Sequence, residues 1–136
     1  MSFQLISESG AETGWTHFAW PAVRRLAEDC GWQPHGTLAP SDWNPEREVI
    51  GAWDGRYTSN DGQLVTAQDA LELGAALELA VGSKDFEDRI RKLDRAVTEL
   101  LQSPAISVSL PHDPSSWRKD IGDFIAFCRK GGFRLF

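Results

Sequence analysis

The sequence predicts an α+β protein in which three to four helices pack on a small, mostly antiparallel sheet. Helical patterns of apolar residues fill much of the chain after Thr66, and short alternating segments lie near both ends. The order of these elements lacks the regular strand–helix alternation of a doubly wound parallel sheet. The chain has 136 residues, the length of one typical domain, so we predict that residues 1–136 form a single globular domain.

The N-terminal part predicts one strand followed by one helix. Phe3 and Leu5 alternate with polar neighbours, as in a strand with one buried face. Residues 10–14 are mostly polar or glycine and indicate a break. Pro21 suits the first turn of a helix, because its missing N–H needs no partner there, and Gly31 is a natural end for that helix.

The middle of the chain is predicted to be largely irregular. Residues 32–45 contain three prolines, and Asn44 before the last of them indicates a short helical turn. Residues 53–65 predict a hairpin-like stretch, because Asp61-Gly62 is a strong turn signal in which glycine adopts a positive φ.

Three further helices and two short strands are predicted after this stretch. Thr66 caps a helix that ends at Gly82, and the next helix, at 83–103, carries apolar residues at spacings of four, three, four and three. A last helix follows at 113–131. Alternating apolar residues predict strands at 105–110 and in the last four residues. We expect the sheet to contain the N-terminal strand and these two segments.

The charge pattern disfavours nucleic acids and membranes as partners. The net charge is −6, and residues 1–82 contain 12 acidic against 4 basic side chains. An acidic protein repels phosphate groups and attracts basic proteins, although the charge would also serve simply to keep the protein in solution. No apolar run is long enough to cross a bilayer, and the chain does not begin with a signal-peptide pattern. With two widely separated cysteines and no disulfide framework, these features predict a cytoplasmic protein.

No catalytic or metal-binding motif is evident. An EF-hand alignment on Gly62 places Tyr57 and Gln68 at positions where calcium needs carboxylates. The three histidines form no paired spacing and are scattered along the chain: His17, His35 and His112. Both cysteines fall in the last turn of a predicted helix, where the helix dipole does not activate a thiol. We therefore predict no catalytic residue, no metal and no cofactor, and we favour a protein that is not an enzyme.

Tryptophan is the distinctive feature of the composition. Five of the six tryptophans lie within the first 53 residues: Trp15, Trp20, Trp32, Trp43 and Trp53. Average usage gives about two in a chain of this length. Three explanations remain open, because large rings fill the core of a small domain, anchor a protein partner, or line a site for a sugar or another small ligand.

We interpret the chain first as a protein-interaction module of the immunity or regulatory type, which binds a basic partner. Its predicted anchors are Trp43, Trp53 and Tyr57. Its predicted charged rim consists of Asp42, Glu46, Glu48 and Asp54. A charged, aromatic surface of this kind first steers a basic partner and then anchors it.

The alternative is a small-molecule or carbohydrate-binding protein, or an enzyme, with a pocket lined by the same aromatic rings. Its polar residues would be His35, Arg56 and Asp61. A third interpretation is a structural subunit of a homo-oligomer. The sequence leaves the oligomeric state open.

Three segments resemble small uncharacterised bacterial cytosolic proteins. They are residues 53–63 (WDGRYTSNDGQ), 66–70 (TAQDA) and 124–133 (FIAFCRKGGF). The resemblance covers most of residues 50–136 and brings no catalytic residues with it. Some small acidic bacterial proteins of this kind are immunity partners of toxins, so the resemblance implies protein binding of the toxin-immunity kind.

Overall fold

The computed structural model describes residues 2–49, 51–100 and 114–136, which contain four helices and a four-stranded antiparallel sheet. The strands are β1 (Ser2–Ser7), β2 (Glu12–Thr16), β3 (Leu64–Val65) and β4 (Phe133–Leu135). The helices are α1 (Ala19–Asp29), α2 (Ala67–Gly82), α3 (Phe86–Leu100) and α4 (Pro114–Cys128). The predicted α+β class is confirmed, and the elements form one compact domain.

The two ends of the chain form the centre of the sheet. The strand order is β2-β1-β4-β3, and every neighbouring pair is antiparallel. Leu5 pairs with Thr13 of β2 on one side and with Leu135 of β4 on the other. Val65 of β3 pairs with Phe133 of β4. The prediction that the N-terminal strand and the C-terminal tail belong to one sheet is therefore confirmed.

Strand β2 corrects the break predicted at residues 10–14. Gly10, with φ of 87°, lies in the turn that returns the chain antiparallel to β1. Among the side chains of β2 only that of Trp15 is buried, because the strand lies at the edge of the sheet. A strand with one buried side chain has no alternating pattern to detect.

The hairpin predicted at residues 53–65 does not form. Only Leu64–Val65 of that stretch is a strand, and its partner β4 lies at the other end of the chain. Gly62 has the predicted positive φ, 90°, and its N–H donates a hydrogen bond to the Leu135 carbonyl (2.7 Å). The turn therefore leads the chain to β4 and does not fold it back on itself. The strand predicted at 105–110 lies outside the described residues.

Helix α2 is central to the packing of the other helices. Thr66 accepts a hydrogen bond from the Asp69 N–H (3.2 Å), which confirms the predicted N-cap. The helix packs against α1 and α4. A Cβ at Gly74 would lie 3.0 Å from the Cys128 Cβ, so glycine allows the close approach of α2 and α4. Burial raises the pKa of the Cys128 thiol, which fits a structural role.

The described helices begin and end within a few residues of their predicted positions. The turn predicted after Asn44 is present as a hydrogen-bonded turn, in which the Arg47 N–H donates to the Asn44 carbonyl (3.0 Å). Within the described ranges, no helix combines the length and the apolar character needed to span a bilayer. The cytoplasmic location stays a prediction.

Candidate functional site

Residues 33–63, here called the Trp loop, lead from the region after α1 to β3. The described part of this loop contains no helix and no sheet strand, although Leu38 forms an antiparallel bridge with Leu64 (N–O distances 2.8 and 2.9 Å). The Thr37 N–H donates to the Gly55 carbonyl (3.0 Å) and joins the two arms of the loop. Backbone hydrogen bonds therefore fix the Trp loop in the absence of regular secondary structure.

Asp69 of α2 attaches the Trp loop to the helical core. Its carboxylate is fully buried and accepts hydrogen bonds from the Trp32 Nε1–H (2.9 Å) and from the Tyr57 hydroxyl. The Tyr57 oxygen in turn accepts a hydrogen bond from the Gly36 N–H (3.0 Å). A buried carboxylate is costly unless donors satisfy it, and here both donors come from outside α2. The Trp loop and α2 therefore hold each other in position.

Tyr57 corrects the predicted set of anchors. Its side chain is 7% exposed, and its ring packs edge to face on Trp32 at a centroid distance of 5.4 Å. Burial, followed by the hydrogen bond to Asp69, raises the pKa of the Tyr57 phenol above its usual value of about 10. Tyr57 is a buried residue that fixes the loop, and it offers no surface to a partner.

Trp43 and Trp53 form an edge-to-face pair on the Trp loop. Their ring centroids lie 4.8 Å apart, and both side chains are half-buried. The Trp43 Nε1–H donates to the Gly51 carbonyl (3.0 Å). The Trp53 Nε1–H reaches both the carbonyl and the hydroxyl oxygen of Thr37 (3.1 Å each). Because internal partners satisfy both N–H groups, the parts of these rings left for a partner are apolar.

The predicted acidic rim is exposed. Asp42, Glu46 and Glu48 all lie at the surface, and none forms an ion pair with another residue that the structure describes. Asp54 is also exposed but lies 3.8 Å from the Arg56 guanidinium. The rim therefore combines three carboxylates without a described ionic partner and one that Arg56 partly neutralises.

Arg56 belongs to this same surface. Its guanidinium lies over the Trp53 ring, 4.8 Å from the centroid, and reaches the Asp61 carboxylate at 3.4 Å. The structure thus brings two of the three residues predicted for a ligand pocket into contact, with the Arg56 guanidinium over a ring face. The third residue, His35, contacts Glu72 of α2.

His35 lines a cleft of about 320 Å³ between the segment after α1 and helix α2. The cleft is lined by Cys30, Gly31, Trp32, Gln33, His35, Glu72, Ala75, Ala76 and Leu79. The hydrogen bond that the imidazole of His35 donates to Glu72, followed by the charge of that carboxylate, raises the pKa of the imidazole. One ligand atom from each of His35, Asp69 and Glu72 lies within 4.8 Å of the other two. A mixed nitrogen and oxygen donor group was not expected from the scattered histidines.

Sequence reasoning missed Asp69 and Glu72. The place of Asp69 in the first turn of a capped helix is enough to explain an acidic residue without any tertiary contact. One signal was available, because Asp69 stands four residues before Leu73 and seven before Ala76, on the apolar stripe of α2. A carboxylate at such a position is buried and needs donors from elsewhere in the chain.

The other tryptophans belong to the core. Their side chains are at most 8% exposed: Trp15, Trp20, Trp32 and Trp117. Filling of the core therefore explains these four rings. The Trp43–Trp53 pair remains for a protein partner, and Trp32 also lines the cleft beside α2.

Comparison with known proteins adds no relative. No protein-family model, no curated protein and no solved structure matches this chain. The function must therefore be inferred from the chemistry of the two sites described above, namely the outer surface of the Trp loop and the cleft beside α2.

Proposed function

We propose that this protein is an interaction module that binds a basic protein partner through the outer surface of the Trp loop. The observation that supports this most strongly is the Trp43–Trp53 pair, two half-buried rings that their own N–H groups hold in place. Exposed carboxylates occupy the same short segment of the chain. Aromatic anchors surrounded by charge are the usual composition of a binding hot spot and its rim.

The fixed rings favour binding, because these side chains are already immobilised before a partner binds. An immobilised side chain costs about 0.5–1.5 kcal/mol on association when it was free beforehand. Trp43 and Trp53 already bond to the Gly51 and Thr37 carbonyls, so most of this cost falls on folding and not on binding. A partner that covers their ring carbons removes apolar surface from water. It leaves no indole N–H without a hydrogen-bond acceptor.

The carboxylates define the partner's charge. A short segment of the Trp loop carries three exposed acidic residues, Asp42, Glu46 and Glu48. Val49 follows them directly in the sequence and is completely exposed (104%). Opposite charge on a partner speeds the encounter, and the effect falls with salt. The resemblance to small bacterial proteins, some of which are immunity partners of toxins, makes a basic toxin the partner class that we favour.

The test is affinity capture from a lysate of the source organism, with several baits compared in parallel. We expect the wild-type bait to recover one basic protein in near-equal amount at about 0.1 M salt and to lose most of it at about 1 M, where the Debye length falls from about 10 Å to about 3 Å. Two surface variants should lose the same protein: Val49→Arg and the double variant Glu46→Lys/Glu48→Lys. Neither variant removes a buried contact, so both should fold normally.

The matched control carries the same charge change on another part of the molecule. Glu8 and Glu12 are exposed residues of the β1–β2 hairpin, and the variant Glu8→Lys/Glu12→Lys should retain the partner. Recovery of the protein by all four baits would show that the Trp loop surface does not bind it. Its loss from this control as well would show that the charge acts non-specifically. A blank result with the wild-type bait would contradict the proposal outright.

A further inference from the structure

A second candidate site lies beside α2 and shares no residue with the proposed partner surface. Asp69 and Glu72 are three residues apart on α2, so their side chains share one face of the helix. His35 reaches them from the beginning of the Trp loop, and its Nε2 contacts a carboxylate oxygen of Glu72. The fold, and not the sequence, brings His35 to these two carboxylates.

The donor set is typical of first-row transition metals. One imidazole nitrogen and two carboxylate oxygens suit Zn²⁺ and its neighbours, whereas Ca²⁺ and Mg²⁺ prefer six or more oxygen ligands or retain several waters. The three ligand atoms lie within 4.8 Å of one another. Bonds of about 2.0–2.2 Å would place neighbouring ligands roughly 3.3 Å apart in a tetrahedral site, so an ion would replace the direct contact between His35 and Glu72 and draw both side chains towards Asp69.

The different burial of the three side chains permits this rearrangement. Asp69 is fully buried and fixed, because Trp32 and Tyr57 each donate a hydrogen bond to it. His35 and Glu72 have side chains that are 47% exposed, so they can rotate towards the fixed carboxylate. Hydrogen bonds that orient a ligating carboxylate are the usual second shell of a metal site.

We propose that His35, Asp69 and Glu72 bind one divalent transition-metal ion of the zinc class. Trp32 and Tyr57 orient the Asp69 carboxylate, and the remaining coordination position faces the cleft and takes water or a small anionic ligand. The ion would join the beginning of the Trp loop to α2, next to the attachment that Asp69 already provides.

Isothermal titration of the untagged, chelator-treated protein with Zn²⁺ tests this proposal. We expect one equivalent to bind to the wild type, with Mg²⁺ and Ca²⁺ giving no comparable heat. Co²⁺ in place of Zn²⁺ should give the visible absorption of a four-coordinate site with nitrogen and oxygen ligands. The melting temperature should rise with added Zn²⁺, because the folded protein alone presents the site.

Variants assign the ligands. His35→Ala and Glu72→Gln change exposed side chains, so they should fold and lose at least 100-fold in Zn²⁺ affinity. Tyr57→Phe should weaken binding by about 10–100-fold, the effect of losing a group that orients a ligand. The matched controls are His17→Ala and Glu78→Gln, an exposed histidine elsewhere and an exposed glutamate on the same helix, and they should bind like the wild type.

Several results would overturn the assignment. They are the absence of Zn²⁺ binding to the wild type, unchanged affinity in both His35→Ala and Glu72→Gln, or equal loss in the two controls. Binding of Mg²⁺ as tightly as Zn²⁺ would overturn the proposed class of metal. None of these outcomes bears on the Val49 and Glu46/Glu48 variants, so the metal site and the partner surface fail or succeed separately.

Discussion

Tryptophan plays different parts in the core and in the Trp loop. The Trp20 ring is fully buried and packs edge to face on Phe124 at 6.0 Å, so its whole area stabilises the fold. Trp43 and Trp53 are half-buried, and they use their N–H groups to hold loop carbonyls while part of each ring stays accessible. The difference teaches that rings of the same type contribute unequally to stability, so single substitutions can separate the core rings from those that we propose for partner binding.

The largest effect should come from the core ring. We expect Trp20→Ala to lower the free energy of unfolding by about 3–5 kcal/mol, because a fully buried aromatic side chain leaves a cavity. Its Nε1–H also donates to the Tyr57 carbonyl (2.9 Å), which the substitution would leave without that donor. Urea unfolding measures the change.

Trp53→Ala is the contrasting variant. It removes a half-buried ring that contacts Trp43 and Thr37, and it should cost about 1 kcal/mol. Equal losses of stability for Trp20→Ala and Trp53→Ala would contradict the separation of the two roles.

An effect between those of Trp20→Ala and Trp53→Ala should follow from Asp69→Asn. The amide keeps the shape of the carboxylate but can no longer accept from both the Trp32 N–H and the Tyr57 hydroxyl. One buried donor then lacks its acceptor, which costs about 1–3 kcal/mol in the free energy of unfolding. Asp54→Asn changes an exposed carboxylate of the Trp loop and should alter stability by no more than about 0.5 kcal/mol. If the two variants unfold at the same urea concentration, Asp69 does not attach the loop as described.

The smallest effect is confined to alkaline pH. Tyr57 is the only tyrosine in the chain, so its ultraviolet absorption can be titrated without overlap from another phenol. Its pKa in the folded protein lies above the unfolded value of about 10. The stability that the buried, protonated phenol contributes to the folded state is therefore complete below pH 10. It is lost as the pH rises towards the folded-state pKa. We expect no ionisation step near pH 10 before the protein unfolds, and a normal step there would show that the Tyr57 hydroxyl is accessible.

The same contrast between core and loop explains what could be predicted from the sequence. Helix α2 was predicted because its cap, Thr66, and its apolar residues follow local rules with a period of 3.6 residues. The role of Asp69 was not predicted, because its hydrogen-bond donors Trp32 and Tyr57 lie 37 and 12 residues away in the sequence. No local pattern encodes such contacts.

The strands show the same limit. β2 has a single buried residue, Trp15, and β3 is two residues long. The Asp61-Gly62 turn was predicted at the right place. The strand that pairs with the chain after this turn is β4, which lies some seventy residues further along the chain. Within the predicted partner surface, sequence reasoning found the acidic rim and the Trp43–Trp53 pair. The sequence did not show that Tyr57 is buried, because the residue that accepts the hydrogen bond from its hydroxyl, Asp69, was not recognised.

The central claim is that a loop without helix or sheet strand in its described part holds its two accessible tryptophans as firmly as the core holds its own. Nitrogen-15 relaxation of the six indole N–H groups tests this most directly, with each signal assigned by a Trp→Phe variant. The structure predicts order parameters of about 0.85 for Trp43 and Trp53, equal to that of Trp20. Values below about 0.6 for the loop pair, with a rigid Trp20, would contradict a preorganised partner surface.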